Sequence, residues 1–128
     1  MSDPALALRL PGAVRVGEPV RIELVLGNPS DEAVELAVPG RPPAFDLTIE
    51  TEDGGPVWRR LEGGAVAMAL TLVRVEPGGE RVFRDAWDGR GASGEPVPPG
   101  RYLVRGVLPA EGGELGAGPE PLEILPDL

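Results

Sequence analysis

The sequence predicts an all-β fold, an antiparallel β-sandwich of about eight strands. Three observations lead there. Short apolar runs alternate with polar residues at the period of two that strands require. Between those runs sit most of the 19 glycines and 16 prolines of the 128-residue chain, grouped where turns belong and sparse inside the runs. The third is the stretch Trp87–Tyr102, WDGRGASGEPVPPGRY, in which one strand ends on a bulky aromatic and another begins on one. Asp88-Gly89 opens a turn there, Pro96, Pro98 and Pro99 exclude helix, and Pro99-Gly100 closes a long hairpin-like connection.

Taken in order, Leu6, Leu8 and Leu10 alternate in a short segment stopped by Pro11-Gly12. Val20, Ile22, Leu24 and Leu26 point one way while Arg21 and Glu23 point the other, the cleanest strand pattern in the chain. Asn28-Pro29-Ser30-Asp31 is a turn, and Val34, Leu36 and Val38 alternate after it, so these two strands are expected to pair as a hairpin. Gly40-Arg41-Pro42-Pro43 reads as a stiff, extended connection. Phe45, Leu47 and Ile49 face inward against Asp46, Thr48 and Glu50, and Asp53-Gly54-Gly55 turns the chain into Val57–Arg60. Between Ala65 and Val75 the pattern is mixed: a strand from Leu70, preceded by a loop or a short helical turn. Pro77-Gly78-Gly79 leads into the strand Arg81–Trp87, and Tyr102–Leu108 is apolar on both faces, as a central strand would be. One domain is expected over residues 1–128: a core over roughly residues 5–109, a flexible glycine-rich spacer at 111–119 and an edge strand at 121–125.

Composition removes several functions. A net charge of −9 argues against nucleic acid and against an anionic membrane surface. No apolar run approaches the roughly 18 residues of a membrane span, and the N-terminus lacks the features of a signal peptide, so a cytoplasmic protein is expected. Histidine, cysteine and lysine are absent, leaving serines, threonines and Tyr102 with no partner to activate them; no enzyme and no cofactor are expected. Asp53, Asp85, Asp88 and Glu95 are the candidate metal ligands, but DGRGASGE does not carry the ligand steps of a calcium loop, and metal binding is not expected. The aromatics Phe45, Trp58, Phe83, Trp87 and Tyr102 are expected to fill the core, with the polar tips of Trp87 and Tyr102 bonded to backbone in the connection between them. All twelve basic residues are arginines and Asn28 is the sole asparagine, a composition that fits a thermostable protein. What remains is protein binding.

The stretch WDGR…GEPVPPGRY, with FDLTIETEDGGPVWRR and VEPGGERVF upstream, resembles the intracellular proteinase inhibitor (BsuPI) domain family over roughly Val14 to Leu108. A similar WDG…VP.G.Y run occurs in the immunoglobulin-like domain of the flagellar hook-capping protein, which marks the string as a structural device. The resemblance implies an immunoglobulin-like sandwich and inhibition of an intracellular serine protease of the subtilisin type. A loop that docks in a protease must be stiff before it binds. Two connections offer this: Gly40–Ala44, with Arg41 ahead of Pro42 and Pro43, and Arg90–Pro99, opened by Arg90. A structural interaction module without inhibitory activity is the alternative, and a carbohydrate-binding module a weaker one.

Overall fold

Alternation along a strand sorts its side chains between the interior and solvent, and the computed structural model, which describes residues 3–61 and 69–127, contains ten strands, of which Leu70–Val75 and Gly100–Leu108 show it most plainly. The strand β3 (Val20–Gly27) lies between β1 (Ala5–Arg9) and β8 (Glu80–Trp87), antiparallel to both, in a three-stranded sheet. Its Val20, Ile22, Leu24 and Leu26 are fully buried, whereas Arg21 is exposed. A five-stranded sheet runs in the order β2 (Ala13–Arg15), β10 (Leu115–Leu125), β9 (Gly100–Leu108), β5 (Asp46–Thr51), β6 (Pro56–Arg59). Every pairing in it is antiparallel except β10 with β2. A two-stranded ribbon, β4 (Val34–Pro39) with β7 (Leu70–Val75), completes the described strands.

The two larger sheets pack face to face in an immunoglobulin-like sandwich, and one core joins them. Leu24 and Trp87 come from the first sheet, Leu47, Val104 and Leu122 from the second, and Val73 from the ribbon. The sheets approach closely at Gly106, where a Cβ atom would stand 2.6 Å from Leu24 Cδ1. Any side chain at that point of β9 would displace the Leu24 and Leu8 side chains packed there. Phe45, Phe83, Trp87 and Tyr102 are buried as expected, while Trp58 is half-buried with its ring centroid 6.4 Å from that of Trp87.

Four expectations are corrected. The turn Asn28–Asp31 does not join a hairpin, because β3 pairs with β1 and β8 while β4 pairs with β7. Asn28 is buried and its amide donates to the Val75 carbonyl at 3.0 Å, so the turn is a corner that carries the chain out of the first sheet. The Trp87–Tyr102 connection is not a hairpin either: β8 and β9 belong to different sheets, and the segment crosses the sandwich. The supposed spacer at 111–119 is a turn only as far as Glu114. From Leu115 the chain is β10, and residues 121–125 lie between β2 and β9 rather than at an edge. Gly116 and Gly118 occupy exposed positions alternating with half-buried Leu115 and Ala117, so the glycines mark a solvent face and a bulge, between Ala117 and Glu120, instead of flexibility. The strand expected from Leu70 is β7, and the loop or helical turn considered for Ala65–Met68 lies outside the described residues.

Candidate protein-binding surface

The connection from β4 to β5 is a closed turn, which corrects the extended conformation expected for Gly40–Pro43. Gly40 takes φ +95°, and a Cβ there would stand 2.9 Å from the Pro42 carbonyl oxygen, so only glycine fits without strain. Burial of Ala44 and Phe45 draws the chain back inward. Ala44 N–H then donates to Pro39 O at 2.8 Å, Gly40 N–H donates to Ala69 O at 2.8 Å, and the Thr71 hydroxyl donates to Gly40 O at 2.6 Å. Arg41 and Pro42 are left exposed on the outside of this turn, with Pro43 half-buried beneath them.

The exit from the turn is held as firmly. Buried Asp46 accepts hydrogen bonds from Leu61 N–H at 3.2 Å and from Arg59 Nε at 2.6 Å. The Arg60 guanidinium lies 3.7 Å from the centroid of the Phe45 ring, donates to Phe45 O at 2.6 Å and reaches Asp85 at 2.7 Å. These bonds tie β6 to β8 across the open side of the sandwich.

Arg90 sits elsewhere. β5 starts with Asp46 opposite Val107 and ends with Thr51 opposite Tyr102, so the turn bearing Arg41 leads into one end of β5. The connection bearing Arg90 leads into β9 at the other end, on the order of 17 Å away along the strand. The structure therefore does not bring Arg90 together with Arg41, Pro42 and Pro43. Its guanidinium donates to Gly94 O at 2.8 Å and its N–H to Asp88 Oδ1 at 3.0 Å. Trp87 Nε1 donates to Arg90 O at 2.9 Å and the Tyr102 hydroxyl to Pro98 O at 2.7 Å, the two backbone bonds expected of these aromatic tips.

Burial raises the Tyr102 pKa above its usual 10.0. The hydroxyl therefore ionises more readily in the unfolded chain, and the stability it contributes is whole below about pH 10 and lost as pH rises through the folded value. The chain has no lysine, no cysteine and a single tyrosine, so the phenol's contribution is not mixed with theirs near pH 10. Urea midpoints taken at pH 9 and pH 11 are expected to fall for the wild type and to stay level for Tyr102→Phe. Equal falls would mean that the loss does not come through this phenol.

Sequence reasoning missed two residues beside Arg41. Leu70 and Leu72 are 41 % and 67 % exposed, although large and apolar. The signal was present in register: Arg74 follows them on the same face, and Thr71, Val73 and Val75 form the opposite, inward one. Among the candidate metal ligands, Asp85 is paired with Arg60, Asp88 accepts from Arg90 and Asp53 accepts from the Thr51 hydroxyl. Among the described residues no group of three or more ligand-type side chains could hold a metal ion. No helix among them is long and apolar enough to cross a membrane.

By architecture, then, this is an immunoglobulin-like β-sandwich whose large exposed apolar side chains, among the described residues, stand on β7. Its family follows from the sequence: residues 11–113 match the model for the intracellular proteinase inhibitor family BsuPI, and the chain belongs to that family. No curated protein matches it. Among solved structures it is similar to dimeric latent PorU from Porphyromonas gingivalis, with a TM-score of 0.60, 17% identity, and coverage of 99% of this chain and 10% of that one. It is also similar to the sporulation control protein Spo0M from Bacillus subtilis, with a TM-score of 0.54, 15% identity, and coverage of 100% of this chain and 51% of that one. The chain thus spans a tenth of the first and about half of the second. At such identities the likeness concerns the fold alone.

Proposed function

We propose that this domain is a non-enzymatic inhibitor of an intracellular subtilisin-type serine protease, acting in the cytoplasm by stoichiometric, non-covalent binding. Family membership supports a proteinase as partner. The absence of histidine, cysteine and lysine leaves no readily activated nucleophile and favours binding over chemistry. The observation that carries the choice of surface is the closed turn Gly40–Ala44, which presents Arg41 and Pro42 on a backbone already fixed by hydrogen bonds. Little conformational entropy is left to lose there on docking. Because the turn is closed rather than extended, it acts as a stiff knuckle against the protease surface and not as a substrate-like strand. Arg90, held within its own connection, has the smaller part.

The test is binding by isothermal titration of a purified intracellular subtilisin-type protease. Replacing Arg41, Pro42 and Pro43 with glycine together is expected to weaken the complex about tenfold or more, since both the side chains and the preorganisation are lost. The circular dichroism spectrum should not change. A wild-type domain that shows no binding at micromolar concentration ends the inhibitor reading. Equal affinity of the glycine variant would move the contact to another surface.

A further inference from the structure

Leu70 and Leu72 stand on one face of β7, in register with Pro39 and Ala37 of β4. The Arg41 guanidinium lies 3.5 Å from the Leu70 carbonyl oxygen, so the apolar stripe and the turn form one continuous surface.

The backbone supplies a second, independent observation. Gly40 N–H donates to Ala69 O at 2.8 Å, which extends the β4–β7 register by one step and makes these two a hydrogen-bonded pair. Such pairs alternate in an antiparallel ladder, so the backbone groups of Leu70, Leu72 and Arg74 point away from β4. On β4 the matching outward carbonyls are occupied: Pro39 O accepts from Ala44 N–H and Ala37 O accepts from Glu111 N–H, at 2.8 and 2.9 Å. On β7, Leu72 N–H and C=O have no backbone partner among the described residues. Exposed edges are ordinarily kept short or blocked by proline. Of the other outer strands, β2 has 3 residues and β6 has 4 and begins with Pro56, while β1 and β8, with 5 and 8, carry no large apolar side chain that is exposed. β7 has 6, with no proline and two exposed leucines.

We infer that the outer edge of β7 takes up an extended segment of the target protease as an added strand. Leu70 and Leu72 meet alternate apolar side chains of that segment, and Arg41 meets a carboxylate on it. This rests on the protease-binding reading above. Strand addition draws affinity from main-chain hydrogen bonds and selectivity from the alternate side chains beside them. Charge identifies the carboxylate: Arg74 is already paired with Glu35 and Glu76, whereas Arg41 has no ion-pair partner among the described residues. A second copy of this chain is a poorer occupant, because it would bring two molecules of net charge −9 together.

Two variants and one readout test this with the purified protease. Leu72→Asp is expected to weaken binding at least about tenfold by placing a carboxylate on the apolar stripe. Arg74→Pro deletes an outward N–H while leaving the β4 ladder whole, and should weaken binding by a similar factor. Neither should move the thermal midpoint by more than a few degrees, as both positions are exposed. In the wild-type complex the Leu72 and Arg74 amides should become protected from hydrogen exchange. A wild-type domain that binds no protease overturns both readings. Binding by the wild type, with Leu72→Asp within about twofold of it and these amides still exchanging freely, overturns the strand-addition inference alone. Loss with Leu72→Asp but not with Arg74→Pro would sink the backbone pairing.

Discussion

Replacing Trp87 with alanine is expected to cost about 3–5 kcal/mol, the largest single-site loss in the molecule. Trp87 is 0% exposed and closes one end of the sandwich, with the Trp58 and Tyr102 ring centroids 6.4 and 6.5 Å away. Alanine would leave a void that two relatively rigid sheets cannot collapse to fill. It would also strip the Arg90 carbonyl of its indole donor. That bond holds the Arg90 connection against the end of β8, so the effect reaches beyond packing. Total stability of a domain this size is about 5–15 kcal/mol, and the loss would take a large share of it. Urea denaturation measures it directly. A loss below about 1 kcal/mol would place the indole outside the core.

Asn28→Ala is expected to cost about 2–3 kcal/mol, although it removes only a small polar side chain. The residue is 2% exposed, and all its hydrogen-bonding capacity is used. Nδ2 donates to Glu32 O at 2.7 Å and to Val75 O at 3.0 Å, while Oδ1 accepts from Ser30 N–H at 3.0 Å and from the Ser30 hydroxyl at 2.7 Å. The backbone joins in, with Asn28 N–H donating to Gly79 O and Gly78 N–H to Asn28 O. The side chain thus ties the end of β3 to the end of β7 and to its own turn, while the backbone reaches the turn that follows β7. Alanine keeps the backbone bonds but leaves the Val75 carbonyl without its amide donor at a buried point, and strips Glu32 O and Ser30 of their side-chain partner. Ser30→Ala removes a hydroxyl bonded to Asn28 Oδ1, Glu32 O and Glu32 N–H, but at a half-buried position where water can take its place, and should cost about 1 kcal/mol or less. Equal losses for the two would show that the network is not centred on Asn28.

These two residues also show how far the sequence could be read. Trp87 was legible as a core anchor because it ends an alternating run and opens a turn, both local signals. Asn28 was legible only as part of a turn. Its bond to Val75, 47 positions along the chain, has no local signature. The same divide runs through the fold. Strand existence and facing followed from periodicity, so β3, β5, β8 and β9 were found where their patterns lay. Pairing did not follow, because β3 and β4 carry complementary patterns yet join different partners across long separations. β10 was hidden by glycines that serve its exposed face and its bulge. At the candidate surface, Arg41 and Pro42 stood out by composition, but proline content suggested an extended run. The closed turn depends on Ala44 finding the Pro39 carbonyl once Phe45 is buried. Leu70 and Leu72 share a face with Arg74, which is the outward signal, but their apolar character reads equally as core and masked it.

The central claim is that this sandwich stops a protease by binding it. The most direct measurement is the residual activity of a purified intracellular subtilisin-type protease titrated with the wild-type domain, at enzyme concentrations well above the dissociation constant. Activity is expected to fall linearly and reach its floor at one domain per protease, with the domain recovered uncleaved. Undiminished activity at a large molar excess, or steady degradation of the domain as a substrate, would contradict it.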